Sequence, residues 1–150
     1  MEINHFGEPV WIGVDIGTTG VRAIAYEADG KSVGSAQAFY PLDTPHPDWA
    51  EQNPVQIYDA VEQVVRETAD SLRYKRKVLG GIALSTVMHS FAALDKEKNL
   101  LTNMMTWADS RSSAIVQEMQ QDPNLLTMFF QMMELLSYML LQALLYCLII

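Results

Sequence analysis

A polar turn follows the first apolar run of the chain. Residues Asp15 to Gly20 read Asp-Ile-Gly-Thr-Thr-Gly, and Arg22 comes shortly after them. Glycine lets the backbone approach an anion, and consecutive amides in a tight turn form a cradle for one. Threonine hydroxyls add donors, an arginine offsets phosphate charge, and a carboxylate at a strand end suits hydrated Mg²⁺. Asp15, Gly17, Thr18, Thr19 and Arg22 are therefore candidates for phosphate binding, with Asp15 as the candidate metal ligand. The alternative is an ordinary hairpin with a polar turn.

Two later segments also carry side chains that could do chemistry. Ser85 to Ser90 ends an apolar run in a polar stretch that contains a histidine. A lone histidine is more often structural than catalytic, and the other two histidines stand at no metal-ligand spacing from it. Thr106 to Ser112 places an indole beside a carboxylate and a guanidinium, a combination suited to polyol recognition. The alternative for this segment is a buried tryptophan next to an Asp–Arg salt bridge.

The first of the elements that must position these residues is a three-stranded meander. Apolar runs predict strands at residues 10–16, 21–26 and 32–40. Asp29 and Gly30 lie between the second and third runs, and this pair is a strong hairpin signal because both residues tolerate positive φ. We therefore expect the three strands to be antiparallel neighbours.

A helix is expected after the proline-rich loop at residues 41–53. Asn53 is a suitable N-cap, and Pro54 suits the first helical position. Apolar residues then recur at helical spacing, which predicts one packed face. That face consists of Tyr58, Val61, Val65, Ala69 and Leu72.

Two strands and a second helix complete the predicted domain. Val78 to Val87 indicates a buried strand, Phe91 to Leu94 indicates another, and a turn follows at residues 95–99. Ser112 or Ser113 begins a helix that runs through Met119. The order of elements predicts an α/β domain with a mixed sheet rather than a doubly wound parallel one.

Residues 125–150 differ in composition from the rest of the chain. They contain one charged residue, Glu134, and are numerous enough to span a bilayer, but no basic residue flanks them. They could be the product of a shifted reading frame, a membrane-associated tail or a buried helix. We favour the shifted frame because the composition changes abruptly. We accordingly assign residues 1–124 to the domain and 125–150 to an atypical, apolar, helical tail.

The composition narrows the class of function. A net charge of −8 over 150 residues argues against non-specific nucleic-acid binding, which needs a basic surface. Cys147 is the only cysteine, so no internal disulfide forms, and residues 1–11 lack the features of a signal peptide. We expect a cytoplasmic protein whose partner is a small molecule, with no nucleic acid, and with no membrane unless the tail is genuine.

Four motifs in a fixed order resemble the FGGY carbohydrate kinase family. They are the Asp-Ile-Gly-Thr-Thr turn, the segment Trp49 to Pro54, the triplet Met88 to Ser90, and Trp-Ala-Asp-Ser-Arg at residues 107–111. The resemblance covers roughly residues 11–121 and concerns only the N-terminal part of such a kinase. The last two motifs are most similar to those of the gluconokinase branch. The resemblance implies a partial ribonuclease H-like domain of the actin, Hsp70 and sugar kinase type.

The resemblance also implies the chemistry of an ATP- and Mg²⁺-dependent kinase that converts D-gluconate to 6-phosphogluconate. Met88 would line the sugar pocket, and His89 would hydrogen-bond a substrate hydroxyl or carboxylate. Trp107 would pack against the substrate, Asp109 would accept from its hydroxyls, and Arg111 would help order the site. The general base of the family and its second domain have no counterpart in the matching motifs. We therefore expect no catalytic residue and no turnover in this chain.

Three other functions stay open at this point. A kinase for another polyol or ketose, such as glycerol or xylulose, would use the same motifs. An actin- or Hsp70-like nucleotide-binding module would use the phosphate turn but would leave residues 106–112 unexplained. A small membrane protein would depend on the apolar tail alone.

Overall fold

The structure, a computed structural model, describes residues 7–73, 75–125, 127–128 and 130–133. These belong to two compact units, which divide between Asp109 and Ser110. The turn at residues 15–20, for which phosphate binding is predicted, and most of the predicted substrate residues lie in the first unit, whereas Arg111 lies in the second. The predicted boundary at residue 124 stays a prediction, and most of the apolar tail falls outside the described residues.

Alternating apolar and polar residues form the predicted antiparallel meander. Strands β1 (Pro9–Ile16), β2 (Gly20–Tyr26) and β3 (Ser32–Phe39) pair in that order. Every second residue of β1 and β2 points to one face and is buried there, because the side-chain period of a strand is two residues. These buried residues are Val10, Ile12, Val14, Val21, Ala23 and Ala25. The connection between β2 and β3 turns at Gly30, whose φ is 86°, as the Asp-Gly pair predicts.

Helix α1 (Pro54–Arg73) packs on this buried face. Asn53 caps it, since its side-chain oxygen accepts from the amide of Val55 at 2.9 Å. Residues at a spacing of four form the buried stripe, and they are Ala60, Val64, Thr68 and Leu72. The buried face observed is therefore rotated slightly about the helix axis from the predicted one. Tyr58 is 68% exposed, while Val61, Val65 and Ala69 flank the buried stripe.

Strand β5 (Val78–Thr86) adds to the other side of β1 and runs parallel to it, which gives the sheet order β3-β2-β1-β5. The sheet is mixed, as expected. The prediction that this strand is buried is wrong, because Ile82 is 46% exposed and Leu84 is 68% exposed. The reason is that α1 packs mainly on β2 and β3 and makes little contact with β5.

A short second sheet joins distant parts of the first unit. Strand β4 (Glu51–Gln52) lies in the loop before α1 and pairs antiparallel with β6 (Met104–Met105). The prediction of a strand from Phe91 to Leu94 is wrong. This run forms only isolated bridges, Phe91 with Met105 and Leu94 with Leu100, because its partners are short segments that do not extend the pairing. The predicted turn at residues 95–99 is present, and Asp95 accepts from the amide of Asn99 at 2.7 Å.

The second unit contains the predicted second helix, α2 (Ser113–Gln121), none of whose residues is buried. Residues 123–125, 127–128 and 130–133 are also helical. The Asp122 carboxylate begins this stretch by accepting from the amide of Asn124 at 2.9 Å. Within the described parts of the chain, no helix is both long enough and apolar enough to cross a bilayer.

Candidate functional site

The turn between β1 and β2 is held by its carbonyl groups. The Gly17 amide donates to the Gly20 carbonyl at 2.9 Å, which closes the turn. The Gly17 carbonyl accepts from the Tyr40 hydroxyl at 2.7 Å. The Thr18 carbonyl accepts from Gln52 Nε2 at 2.7 Å, and the Thr19 carbonyl accepts from the Tyr40 amide at 3.3 Å. Three consecutive carbonyls are thus bound by two residues of the protein interior, since Tyr40 is 7% exposed and Gln52 is 1% exposed.

This anchoring determines where the amides of the turn point. In a planar trans peptide the N–H points opposite to the preceding carbonyl. Because the carbonyls of Gly17 and Thr18 are directed at buried donors, the amides of Thr18 and Thr19 point away from the interior. Neither amide donates to a backbone carbonyl of a described residue. Consecutive outward amides in a tight turn form the type of cradle that binds anions.

Charged side chains flank this cradle. Asp15 at the end of β1 stands directly opposite Arg22 on β2, and both are exposed. Together with Gly17, Thr19 and Gln37 they line a groove of about 220 Å³. Arg22 also donates to the Gln37 side chain, at 3.4 Å. All five residues predicted to bind phosphate therefore lie in or beside one turn.

Tyr40 lies close enough to Asp15 to be affected by its charge. Burial of the phenol raises the pKa of Tyr40, and the negative charge of Asp15 raises it further. The hydroxyl therefore stays protonated at neutral pH and remains a donor to the Gly17 carbonyl.

Gly20 has a steric rather than an anion-binding role. A Cβ at this position would lie 2.5 Å from the Ala38 carbonyl oxygen on β3, a distance that real Cβ atoms essentially never reach. Any side chain at residue 20 would therefore separate β2 from β3 next to the turn.

The loop after β5 lies beside the turn after β1. The two strands are parallel, so their carboxyl ends meet at one edge, which is where open α/β sheets bind ligands. The Val87 amide donates to the Ile16 carbonyl at 3.1 Å, which joins the two connections. Met88 and His89 follow, and both are exposed. The φ of His89 is 61°, a left-handed value that few residues other than glycine adopt. The structure therefore places Met88 and His89 at the same sheet edge as the turn between β1 and β2.

The short second sheet positions Trp107 next to the turn between β1 and β2. Thr106 is 4% exposed and donates from its hydroxyl to the Ala50 carbonyl at 3.0 Å, which fixes β6 against the segment before β4. The Trp107 indole N–H then donates to the Thr18 hydroxyl at 3.2 Å, across 89 residues of sequence. Trp107 is 61% exposed, so a face of the ring remains accessible to a ligand.

Asp109 is positioned by the same segment. Its Oδ2 accepts from the Ala50 amide at 2.9 Å, and its own amide donates to the Thr106 carbonyl at 3.0 Å. One carboxylate oxygen is therefore engaged by the backbone, which sets the orientation of the side chain. Arg111, the last residue of the predicted substrate motif, belongs to the second unit.

Sequence reasoning missed the residues that hold the turn. From the sequence, Gln52 belongs to the segment Trp49 to Pro54 and Tyr40 ends the third predicted strand, and neither is predicted to contact the turn. The available signal was weak: each is a polar residue beside a strand or helix end. Their contacts with the turn cross 34 and 23 residues respectively, so no local pattern reports them.

Asp15 is the carboxylate of this groove that could bind a metal ion. Among the residues that the structure describes, no group of three or more His, Cys, Asp or Glu side chains could hold a metal. Mg²⁺ is usually bound by one or two carboxylates with phosphate oxygens and waters completing its shell. Asp15, exposed beside the outward amides, fits that arrangement.

Comparison with known proteins identifies relatives of this chain. The N-terminal domain of the FGGY family of carbohydrate kinases matches residues 10–143. A gluconokinase of Bacillus subtilis is 36% identical over 114 residues, which are 75% of this chain and 22% of the relative. A xylulose kinase of Klebsiella pneumoniae is 34% identical over 104 residues, 68% of this chain and 21% of the relative.

A solved structure agrees with these sequence relatives. The crystal structure of gluconate kinase from Lactobacillus acidophilus superimposes with a TM-score of 0.69 at 34% identity. The superposition covers 75% of this chain and 22% of that one. The chain therefore spans about a fifth of the length of the relatives that it matches.

Proposed function

We propose that this chain, which belongs to the FGGY family of carbohydrate kinases, provides the first phosphate-binding turn and part of the sugar site of an ATP-dependent sugar kinase. One observation carries the proposal: the indole N–H of Trp107 donates to the hydroxyl of Thr18. The tryptophan of the polyol-type segment and a threonine of the anion-type turn therefore form one continuous surface. A site with both properties suits a reaction that joins a phosphoryl group to a sugar.

The turn would bind phosphate through backbone amides and flanking side chains. The amides of Thr18 and Thr19 and the hydroxyl of Thr19 supply donors, and Arg22 supplies positive charge at the groove. Asp15 would hold Mg²⁺. When bound with ATP, the ion neutralises charge on the phosphate oxygens. Phosphoryl transfer depends mostly on such positioning and charge stabilisation.

The sugar would lie at the exposed edge formed by the loop after β5 and the segment after β6. The Trp107 ring offers a flat apolar face to the carbon skeleton, and the oriented Asp109 carboxylate offers acceptors to hydroxyl groups. Met88 and His89 would form a second wall of the sugar site. We propose D-gluconate as the substrate and 6-phosphogluconate as the product, in the cytoplasm. The gluconokinase relative supports this choice, and the xylulose kinase relative makes a ketose the second candidate.

No described residue is proposed as the general base. Asp109 is the carboxylate of the proposed sugar-binding segment. Its Oδ2 accepts a hydrogen bond from the Ala50 amide, which suits a binding role. The proposed contribution of this chain is binding and orientation.

A pair of chimeric enzymes tests the substrate. Residues 10–121 replace the matching segment in the gluconokinase of Bacillus subtilis and, separately, in the xylulose kinase of Klebsiella pneumoniae. We expect the first chimera to phosphorylate D-gluconate and the second to lose preference for D-xylulose, measured as kcat/KM for both sugars. A gluconokinase chimera that turns over xylulose in preference to gluconate would assign the segment to a ketose kinase.

Within the gluconokinase chimera, His89→Ala tests the sugar wall. Loss of one hydrogen bond to a charged substrate group should lower kcat/KM for gluconate about tenfold to a hundredfold. Lys96→Ala, at an exposed position in the turn after Leu94, is the matched control and should leave kcat/KM unchanged. Equal values for the two variants would remove His89 from the proposed site.

A further inference from the structure

We propose that Gln52 is a positioning residue for phosphate binding, which acts by holding the carbonyl of Thr18. The inference rests on the proposed function of the turn and adds to it a residue that does not itself touch the phosphate. Gln52 lies in β4, outside the turn, within the segment Trp49 to Pro54, to which no role in phosphate binding is assigned above.

The side-chain amide of Gln52 forms hydrogen bonds only through its nitrogen, among the described residues. Its Nε2 donates to the Thr18 carbonyl at 2.7 Å and to the Pro41 carbonyl at 3.4 Å. Both neighbours are acceptors, so the side-chain amide has only one favourable orientation, with nitrogen toward the turn. The opposite atom, Oε1, is buried and has no hydrogen-bond partner among the described residues. A buried acceptor without a partner costs stability, so the contribution of Gln52 in this unit is as a donor to the turn.

The bound carbonyl is the central one of the turn. In a four-residue turn from Gly17 to Gly20, the peptide between Thr18 and Thr19 is the middle unit, and turn types differ mainly in its rotation. Rotating that peptide swings the Thr19 N–H away from the proposed phosphate. Gln52 donates to this peptide, whereas Tyr40 binds the peptides on either side of it.

The backbone of Gln52 is itself well placed to act as a support. Gln52 pairs with Met104 in the short second sheet, and its side chain is 1% exposed. The same sheet leads to Trp107, which contacts the Thr18 hydroxyl. Thr18 is therefore bound at its carbonyl by β4 and at its hydroxyl by the segment after β6.

The test uses the whole 150-residue chain with Mg²⁺ and inorganic pyrophosphate as the probe. Gln52→Met keeps the length of the side chain and removes both donors. We expect the Thr19 amide resonance to shift in the ligand-free variant and pyrophosphate affinity to fall roughly tenfold to a hundredfold, the range expected from a small misplacement of binding groups. Val64→Ala, on the buried face of α1, is the control: it should lower the thermal midpoint and leave the affinity of the folded protein unchanged.

A second variant covers the case in which Gln52→Met does not fold, and it adds a readout that a general loss of stability would not produce. In Gln52→Glu the introduced carboxyl group can donate to the Thr18 carbonyl only while protonated. Affinity relative to the wild-type chain at the same pH should therefore fall as the pH rises through the pKa of that group. A pH-independent ratio would overturn the proposal.

Two further outcomes separate the inference from the proposed function. Wild-type chain that does not bind pyrophosphate would refute the phosphate turn, while the Thr19 resonance in Gln52→Met would still report on positioning. An unshifted Thr19 resonance together with wild-type affinity in Gln52→Met would refute the positioning role and leave the phosphate turn intact.

Discussion

At the scale of single residues, the main feature of the turn from Gly17 to Gly20 is the orientation of its peptide groups. The carbonyls of Gly17, Thr18 and Thr19 accept from Tyr40 and Gln52, both buried, and the amides of Thr18 and Thr19 point away from the interior. This division is efficient because each peptide unit has a donor and an acceptor on opposite sides. Because the carbonyls of Gly17 and Thr18 are bound on one side, the amides of Thr18 and Thr19 are presented on the other.

The buried phenol of Tyr40 predicts a specific loss of stability at alkaline pH. Burial and the charge of Asp15 raise the pKa of Tyr40 in the folded chain, while an unfolded tyrosine ionises near pH 10. Above about pH 10 the unfolded state loses its proton first, so the free energy of unfolding falls as pH rises toward the folded pKa. Denaturant titrations from about pH 8 to pH 11 should show this slope.

Tyr40→Phe is the control for that prediction. The variant should be less stable at neutral pH by about 0.5–1.5 kcal/mol, the value of one hydrogen bond, and should show a smaller alkaline slope. Identical slopes in the two proteins would mean that Tyr40 does not carry the effect.

At the scale of elements, the approach of α1 to the sheet depends on a small residue in β3. A Cβ at Gly34 would lie 2.5 Å from the Ser71 hydroxyl oxygen on α1. That hydroxyl donates to the Thr68 carbonyl at 2.6 Å within the helix, so it cannot rotate away without loss of the bond. α1 and β3 are therefore in such close contact at Ser71 and Gly34 that neither position accommodates a larger side chain.

Gly34→Ala should lower the free energy of unfolding by about 1–3 kcal/mol, as expected for overpacking. Combining it with Ser71→Ala removes the clashing oxygen and should recover part of this loss, giving a coupling free energy between the two sites. Gly13→Ala, in β1, is the matched glycine control because a Cβ there meets nothing within 4 Å. Additive effects of the two substitutions would contradict the predicted contact.

At the scale of the whole molecule, the described residues supply only part of the kinase site proposed for them. It spans about a fifth of its kinase relatives, and its β5 leaves apolar residues such as Leu84 exposed. Phosphoryl transfer requires the nucleophile, metal and phosphates to be held together, and the described residues supply only some of these contacts.

The expected outcome is binding without turnover. The isolated chain, incubated with ATP, Mg²⁺ and D-gluconate, should produce no 6-phosphogluconate above background in a coupled assay, whereas the gluconokinase chimera should. Phosphorylation by the isolated chain that disappears in Asp15→Asn would show instead that these 150 residues contain a working kinase centre.

The sequence by itself determined the local structure and the family to which the motifs belong. Alternation in β1 and β2, the Asp-Gly turn before β3 and the Asn53 cap of α1 are encoded by neighbouring residues and are present as predicted. The four motifs likewise led to the kinase family, which the comparisons confirm. Such signals are local because periodicity, turn conformation and capping act over a few residues.

Only the tertiary structure decided which residues support the site. The contacts of Gln52 with Thr18 and of Trp107 with Thr18 join residues 34 and 89 positions apart, and they follow from the pairing of β4 with β6. Tertiary packing also decided three features that the sequence analysis did not predict. These are the exposure of β5, the exposure of Tyr58 on α1 and the absence of a strand at residues 91–94. Burial and long-range pairing depend on which other elements are there to pack against, and that information is not contained in any short stretch of sequence.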